Sequence, residues 1–384
     1  MQIAILLQVF HLTDGSISVL GVNAALVFLP AVAAAPVAGV LARRHSARGM
    51  MMISDLLRAG SSLLLLVAGG SVWSLLALQA ALGVGGTLYG PARQSMLPRL
   101  VDASRLHAAN AMFATASSIV LLSGPVLGSL VYSAGGLRLV AVGVAAMYLA
   151  AVGALLALRP PATPRPAVPQ PFLQQLAEGF ALVRRAPDLR RLIVLTLIAG
   201  ASVGLLVPLL RPFVEQVLHG GDRAYGLLMG AFGLGGIVGP ALALVAERRI
   251  GLGPAILIGF AAEPLVMLVW TRSPLLVLSA AVMFLWGVVV FVLVTCQTTY
   301  VQRFTPRELM PSAFALLEQT ATAAQLLAAA TVVVLAPVAA PRPVLAAVAV
   351  GYFAVALVSW FSPGGRLIRT RGAAIPQSRR TAAP

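Results

Sequence analysis

Eleven long apolar runs dominate this chain of 384 residues, and each is about as long as the ~20 residues that a helix needs to cross a bilayer. Only 10% of the residues are charged and the mean hydropathy is +0.95, whereas a water-soluble domain carries roughly a quarter charged residues. So much apolar surface requires lipid as its solvent, so the sequence predicts an all-α polytopic membrane protein. The runs lie near 17–41, 49–69, 72–97, 106–133, 137–158, 189–217, 224–246, 252–271, 273–300, 310–337 and 342–362.

The basic side chains, all of them arginine, fall mainly in alternate loops between these runs. One set of loops holds 21 arginines and the opposite set holds 4, with two more inside the runs. Because short arginine-rich loops stay in the cytoplasm, this asymmetry predicts a cytoplasmic C-terminus. The arginine- and alanine-rich composition suggests a bacterium, and therefore its inner membrane. Arginines confined to short loops also argue against a nucleic-acid partner, despite the net charge of +16.

A proline-rich stretch with an amphipathic continuation divides the chain into two halves. The predicted organisation is an N-terminal bundle (1–158), a cytoplasmic linker (159–188), a C-terminal bundle (189–362) and a basic cytoplasmic tail (363–384). The first eleven residues, MQIAILLQVFH, give a helix of only about 16 Å, roughly half a bilayer. We therefore expect a first helix whose beginning lies upstream of this sequence, while an eleven-span protein is the alternative.

Several kinds of site are excluded or disfavoured by the residues available. The single cysteine, Cys296, excludes an internal disulfide and disfavours a structural zinc site, and the four histidines lack metal-ligand spacing. GASVG at 200–204 matches a nucleophile pattern, but it lies inside an apolar run rather than at a strand–helix turn. The chain has no lysine and no phosphate-binding loop for ATP. The sequence thus predicts neither an enzyme nor a cofactor or metal site.

Three segments carry a resemblance to a known family. YGPARQSMLPRLVDASRLHAANAM (89–112) resembles the connection between the fourth and fifth helices of major facilitator superfamily exporters, most closely the macrolide-efflux and siderophore-export branch. SGPVLGS (123–129) resembles the antiporter motif of the fifth helix. AGVLARRHSARGMMMISDLLRAG (38–60) resembles the family's gating loop between the second and third helices. The residues that match the antiporter motif are Gly124, Pro125 and Gly128. The residues that match the gating loop are Gly39, Leu41, Ala42, Arg44, Arg48, Asp55 and Arg58.

The resemblance implies a fold of two pseudo-repeated six-helix bundles, here with eleven full spans and a truncated first helix. It also implies a secondary transporter that exports amphipathic small molecules, such as a drug, macrolide or siderophore, by alternating access. Its partners would be the lipid bilayer and a small-molecule substrate exchanged for protons. The alternative is a non-transporting membrane scaffold or sensor, or a truncated and inactive transporter.

Two departures from the family pattern weaken the proton-exchange assignment. Arg43 stands where the gating loop usually has an acid, and Gln79 replaces the usual embedded arginine four residues before Gly83. In the second half, Glu247 keeps the acid of the corresponding hairpin. We hypothesise that Arg43, assisted by Asp55, pairs with Glu308 across the two bundles and so replaces the usual latch.

Ionisable residues inside the spans are the remaining functional candidates, because a charge at mid-bilayer costs about 2.5–3.5 kcal/mol. Arg211 and Glu215, one turn apart on the seventh helix, either line a cavity or pair near the outer surface. Asp55 and Arg58 form either a gate or a structural cluster. Glu263 favours a buried polar contact. The predicted substrate and proton pathway consists of Glu318, Gln319, Arg211, Glu215, Gln79 and Arg93.

Overall fold

The computed structural model describes residues 1–33, 46–100, 106–158, 172–305, 309–335 and 341–372, and this part of the chain is helical. The prediction of an all-α fold is confirmed. In the described ranges the helices are α1 (Gln2–Leu12), α2 (Ile17–Ala33), α3 (Ala47–Ala68), α4 (Val72–Leu100), α5 (Leu106–Ala157), α6 (Phe172–Arg185), α7 (Pro187–Gln216), α8 (Asp222–Arg249), α9 (Leu252–Arg272), α10 (Leu276–Phe304), α11 (Met310–Leu335), α12 (Pro341–Phe361) and α13 (Pro363–Arg371).

Nine helices of the described part are long and apolar enough to cross a membrane. The predicted spans 106–133 and 137–158 both fall within α5 and are separated only by a break at Gly136. Its backbone, with φ 64° and ψ −165°, lies in a region open essentially to glycine alone. A single residue therefore takes the place of a loop between these two spans.

We describe the helices in two groups, α1–α5 and α7–α12, which follow the predicted division of the chain into halves. Within the groups, α3 packs against α4 and α5, α7 against α11, and α10 against α8 and α9. Between the groups, α2 packs against α11 and α5 packs against α8. The two halves therefore meet mainly through these two helix pairs, and α2 also contacts α7.

Close packing of α8 against α10 depends on two glycines spaced four residues apart. A Cβ at Gly239 would lie 2.9 Å from the carbonyl oxygen of Val288, and one at Gly235 would meet the backbone of Phe284. This pair of glycines thus lets the backbones of α8 and α10 approach each other closely. By contrast, a Cβ at Gly124 would meet no described atom within 4 Å.

The largest apolar core joins the two halves. It includes Leu7 and Phe10 of α1 together with Phe213 of α7, whose ring lies 4.1 Å from that of Trp270 on α9. Two smaller cores lie within single halves, one around Phe260 and one around Met51. The shared core places the end of α1 against the second half of the molecule.

The first nine residues of the predicted tail form helix α13, which is docked on the second half. Arg371 Nη1 lies 2.9 Å from Asp188 Oδ2 at the start of α7. The backbone N–H of Gly253 on α9 donates to the carbonyl oxygen of Gly372 at 3.1 Å. The helix therefore bridges α7 and α9.

Candidate functional site

The buried guanidinium of Arg211 is the centre of a polar network between the two halves. Arg211 lies on α7 with only 3% of its side chain exposed, and its Nε and Nη2 donate to Asp222 Oδ1 at 3.1 and 2.9 Å. Glu215 lies one turn further along α7, with its Oε2 3.4 Å from Nη1 and 54% of its side chain exposed. Asp222, and not Glu215, is thus the main partner of Arg211.

The other half of the molecule contributes the end of α1. His11 Nε2 lies 2.9 Å from Asp222 Oδ2, the carboxylate oxygen that Arg211 does not use. The guanidinium of Arg211 also lies 4.0 Å from the ring centre of Phe10, in cation–π geometry. Asp222 therefore binds an arginine of its own half and a histidine of the opposite half.

Local structure positions both members of the contact between Asp222 and His11. Asp222 is the first residue of α8, where the positive end of the helix dipole stabilises a negative charge. The imidazole of His11 is stacked on the ring of Tyr132, with 6.1 Å between ring centres. The Tyr132 hydroxyl donates to Gln8 Oε1 at 2.8 Å, and Gln8 Nε2 donates to the carbonyl oxygen of Gly69 at 3.3 Å. The histidine is thereby fixed by α1, α5 and the turn after α3.

Other close contacts between the halves, each between a serine side chain and the backbone of the opposite half, lie at the same end of the molecule. Ser18 Oγ at the start of α2 donates to the carbonyl oxygen of Val333 near the end of α11, at 3.3 Å. Near the start of α8, Gly226 lies so close to Ser129 of α5 that a Cβ would overlap the serine hydroxyl. This end adjoins loops that the arginine distribution predicts to be outside, and it is called the outer end below.

A second polar feature lies within the first half, where two buried amides carry atoms that have no hydrogen-bond partner in the described part of the chain. Gln79 on α4 and Asn23 on α2 are each 1% exposed. Among the described residues, neither Gln79 Oε1, Gln79 Nε2 nor Asn23 Oδ1 has a hydrogen-bond partner. Buried polar atoms are almost always hydrogen-bonded, so these atoms are available to water or to a ligand.

The gating residues that the structure describes are bound within the first half. Arg58 Nη2 lies 2.8 Å from Asp55 Oδ1, and its guanidinium lies 4.9 and 4.8 Å from the rings of Tyr89 and Tyr148. Arg48 Nη2 donates to the carbonyl oxygen of Leu156 at 2.7 Å, in the last turn of α5. Asp55 and Arg58 thus form an ion pair that is enclosed by aromatic rings of the first half.

The remaining predicted site residues are dispersed. Glu318 is exposed on α11 and Gln319 beside it is half-buried, while Arg93 is half-buried on α4. Pro125 of the antiporter-type motif lies inside α5 on the side that faces Gly226. Four predicted gating residues lie outside the described residues: Gly39, Arg43, Arg44 and Glu308.

Glu263 forms the buried contact that its position favoured. It is 4% exposed on α9, and its Oε2 accepts a hydrogen bond of 2.8 Å from the hydroxyl of Tyr352 on α12. Both residues belong to the second half, away from its contact with the first.

Sequence reasoning missed Asp222 and His11 as members of one site. They are 211 residues apart, so no local spacing connects them. The available signal was an acid directly after two glycines at the start of an apolar run, opposite a histidine at the end of another. Both positions fall on the same predicted side of the membrane.

Comparisons with known proteins agree with this architecture. The sequence profile of the Major Facilitator Superfamily matches residues 1–329. Macrolide efflux protein A of Streptococcus pyogenes is 27% identical over 247 residues, which are 59% of this chain and 61% of that protein. The protein of the same name from Enterococcus faecalis is 27% identical over 239 residues, 57% of this chain and 74% of that one. The match to the streptococcal protein thus spans less than two thirds of its length.

Solved structures match nearly the whole chain at low identity. A D-xylose–proton symporter superposes with a TM-score of 0.73 at 14% identity, covering 95% of each chain. A bacterial homologue of the iron transporter ferroportin in an inward-facing state also gives 0.73 at 14% identity, covering 96% of this chain and 94% of the other. At these identities the similarity concerns the fold alone.

Proposed function

We propose that this chain exports amphipathic small molecules by alternating access. The premise is that it belongs to the major facilitator superfamily, as its match over residues 1–329 shows. The similarity to macrolide efflux proteins supports outward transport and suggests macrolides as the first substrates to test. Drugs and siderophores belong to the same proposed substrate class. The bilayer, as in all transporters of this kind, is the medium across which the substrate moves.

The observation that carries the proposal is the closure of the two halves at the outer end. Asp222 binds Arg211 on its own side and His11 on the other, and α2 and α5 contact α11 and α8 nearby. These polar contacts can separate and re-form, although the apolar core around Phe10 and Phe213 also joins the halves at this end. The arrangement therefore supports a cycle in which the outer end opens once the substrate is bound from the cytoplasm.

The proposed pathway includes the buried amides and the exposed acid of α11. Glu318 lies within the span Ala313–Val334, where a carboxylate in contact with lipid would cost about 2.5–3.5 kcal/mol. Its exposed side chain is therefore best accounted for by a water-filled space between the halves. We assign proton or substrate binding to Glu318 and polar substrate contacts to Gln79.

The test is transport by the purified full-length chain in proteoliposomes. With a macrolide such as erythromycin and an imposed proton gradient, we expect saturable flux that stops when an ionophore collapses the gradient. E318Q should abolish the dependence on the gradient, whereas D14N, which changes an exposed acid between α1 and α2, should retain it. Absence of flux under every gradient would contradict the proposal and favour the alternative of a non-transporting scaffold.

A further inference from the structure

A small basic cavity lies where α7 and α13 begin, away from the contact between the halves. Its volume is about 130 Å³, which is room for roughly four water molecules. Six residues line the cavity: Pro187, Arg190, Arg191, Val194, Pro363 and Gly364. Two of them are arginines and none is acidic.

The arginines of this cavity keep their charge available. The nearest acid in sequence, Asp188, is 2% exposed and its Oδ2 is engaged by Arg371 at 2.9 Å and by the Tyr300 hydroxyl at 3.0 Å. Arg191 Nη1 makes one long hydrogen bond of 3.4 Å, to Ser359 Oγ on α12. Neither Arg190 nor Arg191 forms an ion pair with another residue of the described chain.

The walls of the cavity differ in polarity. Val194 lies one turn beyond Arg190 along the membrane-spanning helix α7, and 37% of its surface is exposed. Gly364 approaches α7 so closely that a Cβ would lie 2.9 Å from that of Arg191, which holds α13 against the cavity. A site with cationic groups at one side and exposed apolar surface along a spanning helix is complementary to an anionic lipid headgroup and its acyl chain.

We propose that this cavity binds the phosphate of an anionic phospholipid. Arg190 and Arg191 donate to the phosphate oxygens, and the acyl chain runs along Val194. The bound lipid fills the gap between α7, the first helix of the second half, and α13, the helix that bridges α7 and α9. The proposal is independent of the transported substrate.

The test is lipid binding by the purified full chain, measured by native mass spectrometry with palmitoyl-oleoyl phosphatidylglycerol and its phosphatidylcholine counterpart. We expect preferential retention of one phosphatidylglycerol molecule, and an affinity about 30-fold lower for R190Q/R191Q, because each arginine contributes about fivefold. The matched control is R248Q/R249Q, which removes two adjacent exposed arginines from the end of α8. This control should bind the lipid as the unmodified chain does.

Three results would overturn the proposal: equal losses in the two double variants, equal retention of phosphatidylcholine, or full displacement of the lipid by excess inorganic phosphate. The last would identify a site for a free anion. If R190Q/R191Q does not fold, the single variants R190Q and R191Q decide, each with an expected loss of about fivefold. Lipid binding is measured without transport. A negative lipid-binding result therefore does not contradict the proposed export activity, and absence of transport does not contradict the proposed lipid site.

Discussion

Asp222 connects the two halves through the two oxygens of its carboxylate. One of its oxygens accepts from the buried Arg211 and the other lies 2.9 Å from His11 of the opposite half. Removing one partner of a buried ion pair costs about 3–5 kcal/mol, because the remaining charge stays desolvated. Opening of the outer end would let water reach that charge, so a change at Asp222 should act on the balance between conformations.

We expect D222N to favour the outward-open state, since its amide binds the guanidinium of Arg211 less strongly. In a variant whose native cysteine is replaced (C296A), a cysteine at Ser129, which is 1% exposed beneath Gly226, reports on this opening. D222N should speed its reaction with an impermeant maleimide by at least about tenfold, equivalent to ~1.4 kcal/mol. E215Q is the control, because Glu215 is 54% exposed and its 3.4 Å contact with Arg211 contributes at most about 1 kcal/mol. Unchanged labelling in D222N would show that the network does not hold the outer end closed.

Gln79 offers a second prediction at the same scale. Each unsatisfied buried polar group costs about 1–3 kcal/mol, so Q79L, of similar size, should keep or raise the thermal stability of the protein. Macrolide flux by Q79L should fall, because the proposed polar substrate contact is lost. S54A is the stability control: the Ser54 hydroxyl donates to the carbonyl oxygen of Gly85 at 2.6 Å, so its loss should lower stability by about 1 kcal/mol. A Q79L protein that unfolds at lower temperature would mean that the amide has a structural partner.

At the scale of elements, the break in α5 determines how two spans follow one another without a loop. The residues on both sides are helical, and Gly136 alone has a positive φ inside this helix. The stretch before the break contacts α8 of the other half, whereas residues after it, such as Ala141 and Ala145, are buried within the bundle. The glycine thus connects a helix that packs against α8 to a second helix without a loop between them.

We expect G136A to lower the free energy of unfolding by about 1–3 kcal/mol, because an alanine there is strained in the conformation that glycine adopts. The control is G143A on the same helix, where a Cβ would meet no described atom within 4 Å. This substitution should be neutral or stabilising by up to about 1 kcal/mol, since alanine favours the helix. Thermal unfolding of both variants in detergent makes the comparison. Equal stability of the two variants would rule out a required positive φ at residue 136.

At the scale of the whole molecule, the two halves contact each other at one end, and the arginine distribution predicts which side of the membrane that end faces. Loops on the arginine-rich side carry 21 arginines against 4 on the other. The His11–Asp222–Arg211 network lies on the arginine-poor side. The predicted transporter is thus closed towards the outside, with its basic loops in the cytoplasm.

The orientation is tested by cysteines introduced into the C296A chain in intact cells. A cysteine at Gly221, the exposed residue before α8, should react with an impermeant maleimide. A cysteine at Thr163 in the linker should react only after the cells are permeabilised. The opposite pattern would place the network of Asp222 on the cytoplasmic side and reverse the proposed direction of closure.

The hypothesis that Arg43 and Glu308 form a latch on the cytoplasmic side remains a prediction at this scale. R43E or E308R alone should reduce flux, because each brings like charges together across the two bundles. The double variant R43E/E308R should partly restore it, with a coupling of at most about 1 kcal/mol for an exposed pair. A double variant no better than the worse single variant would leave Arg43 as a cytoplasmic anchor of the topology.

The sequence by itself determined the helical membrane fold and the family, because the length of apolar runs and short motifs are local properties that can be read without the tertiary structure. The division into two halves remains its prediction. The sequence also singled out Arg211 and Gln79, since a charge or amide inside an apolar run is unusual wherever it packs. It could not pair Arg211 with Asp222 and His11, or show that Gln79 is buried without a partner. Only the tertiary structure decided these points, because they depend on which helix ends meet across 211 residues of chain and on the depth at which each side chain is enclosed.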